Sequence, residues 1–182
     1  ARRLISALTP HLERGTPIIG LEPSCLLTLR DEYPALLTAS LTKKLSEQSL
    51  LLEEFLARSH EQLRFDFETN APCRVAGHGH CHQKAFATLD AMTSTLQLFP
   101  GIEPEFITSS CCGMAGAFGY QRETYDVSLQ MAELSLLPAI RKLPDADVIV
   151  ANGTSCRTQI MHGTSRQAFH LAVLLDQRLT GH

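Results

Sequence analysis

The chain has 182 residues, 44% of them hydrophobic and 19% charged, with a formal net charge of −3. This is the composition of one globular domain, or slightly more than one, able to bury a core without staples. It offers no basic field for nucleic acid, and no run of 18 apolar residues is present to span a membrane. The opening Ala1-Arg2-Arg3-Leu4 has neither an apolar signal core nor an initiator methionine, and reads as the start of a piece cut from something longer.

In chain order, residues 4–12 predict a short helix and 16–21 a buried strand. After Pro34 comes a long amphipathic helical stretch, with Leu37, Leu41, Leu45, Leu52, Phe55 and Leu56 on one face and Lys43, Lys44, Glu47 and Glu54 elsewhere. A strand at 73–77 leads to a helix over about 83–98, stopped by Pro100. A short strand at 105–108 and a glycine-rich turn precede a helix over about 123–137, with Val127, Met131 and Leu134 aligned. Residues 147–151 are the clearest buried strand, and two short helices close the chain. Strands alternating with helices predict an α/β fold, a parallel sheet with helices on both faces. One internal echo stands out: residues 16–25 resemble residues 147–156, each a buried strand, a tight turn, then Ser-Cys at a helix start.

Six cysteines are too few for a disulfide scaffold and enough for a metal site. With no export signal the expected compartment is the reducing cytoplasm, free or peripheral at the inner membrane, where clustered cysteines serve metals or redox chemistry. Three segments carry the chemistry: Gly77-His78-Gly79-His80-Cys81-His82-Gln83-Lys84, Ser109-Ser110-Cys111-Cys112-Gly113-Met114-Ala115-Gly116, and Asn152-Gly153-Thr154-Ser155-Cys156-Arg157. Each follows a predicted strand. In an open parallel sheet the carboxyl ends of the strands share one edge, so residues far apart in sequence converge there.

A helix N-terminus favours thiolate, the form that binds iron or zinc. Cys81, Cys111, Cys112 and Cys156 are therefore the candidate metal and cofactor ligands, and no residue is assigned a catalytic role. Gly113, Gly116 and Gly119 are expected to bring backbone N–H groups close to cluster sulfurs. Cys73, inside a strand, is expected in the core. Cys25 is expected to be a ligand whose partners lie upstream. His78, His80 and His82 alternate toward one side, as metal ligands or as tuners of a thiolate. Lys84 and Arg157 either offset thiolate charge or are solvated.

These motifs resemble those of the cysteine-rich CCG domain family, which includes the iron–sulfur subunit of glycolate oxidase, a heterodisulfide reductase subunit, and the C-terminal parts of FAD-linked oxidases of D-2-hydroxy acids. The resemblance rests on His80-Cys81-His82-Gln83-Lys84, on Cys111-Cys112-Gly113-Met114-Ala115-Gly116 with Phe118-Gly119-Tyr120, on Gly153-Thr154-Ser155-Cys156-Arg157 and on Glu22-Pro23-Ser24-Cys25. It extends from Thr16 to Leu179, and the Gly-Thr-Ser-Cys-Arg form looks closest to the FAD-linked oxidases.

The resemblance implies two pseudo-repeats, with residues 1–68 the tail of the first plus a long connecting helix and 69–182 a complete second. It implies electron relay from a flavin through ferredoxin-type clusters, with FAD on the missing part of the chain or on a partner subunit. Where the heterodisulfide reductase pattern ends Cys-x-x-Cys, this chain has Gly153 and Cys156, and likewise Glu22 and Cys25. Four ligands rather than five imply an ordinary 4Fe–4S cluster. The expected role is thus an iron–sulfur electron-transfer domain of a flavin-dependent 2-hydroxy-acid (D-lactate- or glycolate-type) oxidoreductase, not catalytic alone.

Two rivals use the same residues: a structural zinc site, and an enzyme with Cys81 as nucleophile and His80 or His82 as base. Expected partners are flavoprotein and ferredoxin-type domains, with no nucleic acid and no transmembrane segment. An apolar face left by the missing half would favour a homodimer.

Overall fold

The computed structural model describes residues 1–37, 39–63 and 72–179; the Leu41 side chain and the division between 68 and 69 lie outside them. The N-terminal part runs α1 (Arg2–Glu13), β1 (Ile18–Gly20), α2 (Pro23–Leu27), α3 (Glu32–Leu36), α4 (Ala39–Gln48), β2 (Ser49–Leu51) and α5 (Leu52–Ser59). β1 and β2 pair in parallel, over a core of Ile5, Leu12, Leu26, Leu27, Leu45 and Leu51.

The long amphipathic stretch is therefore not one helix. Ser49, Leu50 and Leu51 are buried on all sides, so they lack the alternation that marks a strand and blend into the leucine repeat. Pairing with β1 decides the matter, and Arg30 Nε caps the break by donating to Ser49 O at 2.7 Å. Glu54, expected on the polar face, is buried instead. Its carboxylate accepts from Arg30 (3.1 Å at Oε1) and from Leu51 N (2.9 Å at Oε2). Removing one member of such a buried pair costs roughly 3–5 kcal/mol.

The C-terminal part runs β3 (Cys73–Gly77), α6 (Cys81–Ala85), α7 (Leu89–Gln97), β4 (Ile102–Phe106), a 3-10 turn (Phe118–Tyr120), α8 (Tyr125–Glu133), α9 (Leu136–Lys142), β5 (Val148–Val150), α10 (Thr154–Thr164), β6 (Ala168–Phe169) and α11 (Leu171–Asp176). The sheet order is β4-β3-β5-β6, all parallel. Val75 and Val150 pack with Met92, Leu96 and Leu171 from α7 and α11 on one face. Ile149 and Ala151 pack with Leu136, Ile140 and Ile160 from α9 and α10 on the other. Period-two alternation in β5 thus builds both halves of an α/β sandwich, as expected.

Two predicted helices are broken. The 83–98 helix stops after α6, because Thr88 N and Oγ1 both bond back to Gln83 O (2.9 and 3.3 Å) while Ala87 takes a positive φ of 52°. The 123–137 helix divides into α8 and α9, and its aligned Val127 and Leu134 are 47% and 78% exposed. The buried face of α8 is Ser128 and Ala132, small residues that let the helix approach its neighbours closely. β4 begins earlier than the predicted 105–108, in register Cys73↔Ile102 through Gly77↔Phe106.

Candidate metal centre at the carboxyl edge of the sheet

β3, β4 and β5 all end at one edge, and each delivers cysteines there. β3 continues into His78, whose N donates to Val150 O (2.8 Å), and then into α6, which opens at Cys81. His80 caps α6: its Nδ1 accepts from His82 N (3.2 Å), and Gln83 Oε1 accepts from His80 N (2.9 Å). β4 continues into the Cys111-Cys112 loop, which Lys84 braces by donating to Ser109 O (2.5 Å) and Ser110 O (2.7 Å). β5 continues into Asn152-Gly153 and α10, which carries Cys156 in its first turn. Arg157 braces that turn through Ala151 O (2.8 Å) and Asn152 O (2.6 Å). Lys84 and Arg157 are thus loop braces rather than solvated charges.

The four thiols form an unbroken row. Cys81 adjoins Cys111, Cys111 adjoins Cys112, and Cys112 adjoins Cys156, each near enough to shift its neighbour's acidity. Cys112 and Cys156 are buried, while Cys81 and Cys111 are partly exposed. Their acidities alternate. Hydrogen bonds from Cys112 and Cys81 hold Cys111 well below the ordinary thiol value, against the effect of burial. The Cys112 bond does the same for Cys156, again against burial, with His78 assisting. Cys81 and Cys112 are pushed up, first by their thiolate neighbours and then by burial.

Thiols this close cannot all ionise beside one another without a compensating cation. A polynuclear metal core would supply that cation and take all four as thiolates, so the donor set fits an iron–sulfur cluster. Among the described residues no three His, Cys, Asp or Glu side chains are placed to hold a single metal ion. The Cys111 neighbour and burial push the Cys81 thiol up, the opposite of what a nucleophile needs.

His78 is fully buried. Its Nδ1 lies 2.9 Å from Ser109 Oγ, while Nε2 has no hydrogen-bond partner of ordinary geometry and adjoins Cys156. A buried imidazole nitrogen left free beside a cysteine sulfur suits an N–H···S bond to a metal-bound thiolate. Gly113 N already donates to Cys111 Sγ (3.3 Å); Gly113 has φ +87°, and a Cβ there would sit 2.2 Å from Ser128 O. Of the three turn glycines only Gly113 shows such a contact with a sulfur. A Cβ at Gly119 would strike Met114 Sδ at 2.3 Å, which is packing, and Gly116 faces open space. Cys73, expected in the core, is partly buried against it, and Cys25 is exposed.

Motif reading missed the supports. Glu53 is buried and accepts from Gln83 Nε2 (2.5 Å) and Asn152 Nδ2 (3.1 Å), and Asn152 Oδ1 accepts from Leu171 N (3.1 Å). One carboxylate of α5 thereby ties together the turns that precede Cys156 and follow Cys81. Burial raises its pKa despite these bonds. Nothing in the sequence distinguishes Glu53 from Glu54, the other acid of α5.

The cysteine-rich CCG domain model matches residues 71–161, half of the chain. A subunit of the anaerobic glycerol-3-phosphate dehydrogenase of Escherichia coli K12 is 30% identical over 168 residues, 91% of this chain and 41% of that protein. D-2-hydroxyglutarate dehydrogenase of Escherichia coli K12 is 29% identical over 166 residues, 88% of this chain and 15% of that protein. The Pantoea ananatis D-2-hydroxyglutarate dehydrogenase is 31% identical over 149 residues, 80% of this chain and 14% of that protein. The chain therefore spans less than half the length of these relatives. No solved structure matches it. With its three cysteine segments gathered at one sheet edge, the chain belongs to the cysteine-rich CCG domain family.

Proposed function

We propose that Cys81, Cys111, Cys112 and Cys156 hold one 4Fe–4S cluster and that the chain passes electrons within a flavin-dependent dehydrogenase of 2-hydroxy-acid type. The observation that carries this reading is the continuous row of four thiols, too crowded to ionise together unless a cationic core compensates them. When bound, such a cluster supplies reversible one-electron storage. The protein's own part is to hold the thiols in place, with Gly113 N donating to Cys111 Sγ and the unpartnered His78 Nε2 available to a thiolate at Cys156. Lys84 and Arg157 brace the two loops.

Two relatives are dehydrogenases, or part of one, by name, which supports a dehydrogenase partner domain or subunit; in this reading that partner carries FAD and ferredoxin-type clusters. In this reading residues 1–68 close a first pseudo-repeat and 69–182 form the second. No helix of the described residues is long and apolar enough to cross a membrane.

The test is anaerobic reconstitution with iron and sulfide, followed by reduction. The chain should take electrons from dithionite and give them to a dye, yet turn over no D-lactate, glycolate or D-2-hydroxyglutarate. Substrate-dependent dye reduction by the flavin-free chain would place the carbon chemistry here and overturn the reading.

A further inference from the structure

The helix that carries Cys156 has no cap of its own: its N-cap is Gly153, which has no side chain to offer. The cap comes from 132 residues away. Glu22 Oε2 accepts from Thr154 N (2.9 Å) and from Thr154 Oγ1 (3.0 Å), and its Oε1 accepts from Ser24 Oγ (3.0 Å). A second tie holds the same segment, as His170 Nε2 lies 2.8 Å from Leu21 O. Since His170 Nδ1 accepts from Ala172 N (3.0 Å), Nε2 carries the proton and donates. The His80 ring lies against Gly153 and feels the charge of both Cys156 and Glu22.

Gly153 is fixed from the same side. A Cβ at this position would lie 2.5 Å from His80 Cδ2 and 3.1 Å from Cys156 Sγ. Side chain 153 is thereby excluded, and the role of fixing this turn passes to a carboxylate from the N-terminal part. Desolvation opposes ionisation of Glu22, but the bonds from Thr154 and Ser24 outweigh it and keep the group acidic.

We propose that Glu22 is a positioning residue for the redox centre: it fixes the Cys156 turn and keeps a negative charge beside the cluster, lowering its potential. The inference rests on the cluster reading above. A negative charge near the site disfavours adding an electron, so removing it must raise the midpoint potential. The same carboxylate also caps α10, and loss of the cap should loosen Cys156.

The two effects separate in a pair of variants. Glu22→Gln keeps an amide oxygen that can accept from Thr154, whereas Glu22→Ala keeps neither cap nor charge. The anaerobically reconstituted chain would be followed by dye-mediated potentiometry and by the rate at which a chelator bleaches the cluster absorption. Glu22→Gln should load fully, bleach near the wild-type rate and titrate at a more positive potential. Glu22→Ala should show the same positive shift and bleach roughly fivefold faster. The exposed Glu47→Gln control should change neither. A wild-type potential in Glu22→Gln, or wild-type bleaching in Glu22→Ala, overturns the proposal while leaving the cluster in place. Failure of the wild type itself to take up iron and sulfide overturns the cluster reading, and this proposal with it.

Discussion

In both β1–α2 and β5–α10 a strand runs into a tight turn and a helix whose first turn carries Ser-Cys, yet Cys25 is exposed and Cys156 is buried. The difference lies in the neighbours. β5 lies beside β3, whose continuation brings Cys81, with β4 next in the sheet bringing Cys111 and Cys112, so its turn opens at an edge already lined with thiols. Among the described residues β1 pairs only with β2, whose continuation, α5, brings Glu53 and Glu54 rather than thiols. A strand-turn-cysteine unit therefore presents a thiol, and only its sheet neighbours make that thiol part of a site. The two units are also joined, since Glu22 of one caps the helix of the other.

The largest effect expected from this contrast is all-or-none. Cys156→Ser should abolish iron uptake in anaerobic reconstitution, as should Cys81→Ser, Cys111→Ser and Cys112→Ser, while Cys25→Ser should load like the wild type. Loading of Cys156→Ser with loss in Cys25→Ser would reverse the comparison. Next comes the turn itself. Gly153→Cys supplies a further thiol but drives its Cβ into the His80 ring. Overpacking of this kind costs roughly 1–3 kcal/mol, so thermal unfolding of the apo chain should occur at lower temperature and no extra iron should bind.

A smaller effect is pH-dependent. Burial raises the pKa of Glu53 above its ordinary value, and the nearby Glu54 charge adds to this, against bonds from its own backbone, Gln83 and Asn152. A carboxyl with a raised folded-state pKa contributes stability that is complete below its unfolded value and lost as pH rises through the folded one. Denaturant unfolding should therefore weaken over that window, with a slope of at most about 1.4 kcal/mol per pH unit. Glu53→Gln should flatten it. The smallest effect is expected at His170, where burial depresses the pKa. His170→Ala should cost about 1 kcal/mol through loss of the α11 cap and the Leu21 tie.

Much of this was legible in the sequence because period and motif coincide. The β5 run alternates between two helical layers, and strands alternate with helices, so the parallel sheet could be read from the pattern and the shared edge from the cysteine segments that follow its strands. What could not be read depends on long-range partners. Ser49-Leu50-Leu51 is a strand only because β1 lies beside it. Val127 and Leu134 looked like core, yet α8 turns Ser128 inward because Gln159 Nε2 donates to Ser128 O (3.1 Å) and Gly113 packs there. Glu22 and Glu53 act across 132 and 99 residues, distances at which no local pattern marks them.

What the four thiols hold decides between a redox module and every rival. Iron, acid-labile sulfide and zinc should be measured together on the wild-type chain, purified and reconstituted without oxygen. A cluster on this thiol row requires about four iron and four sulfide per chain, with zinc well below one. Iron and sulfide near zero, or one zinc per chain in their place, would contradict it.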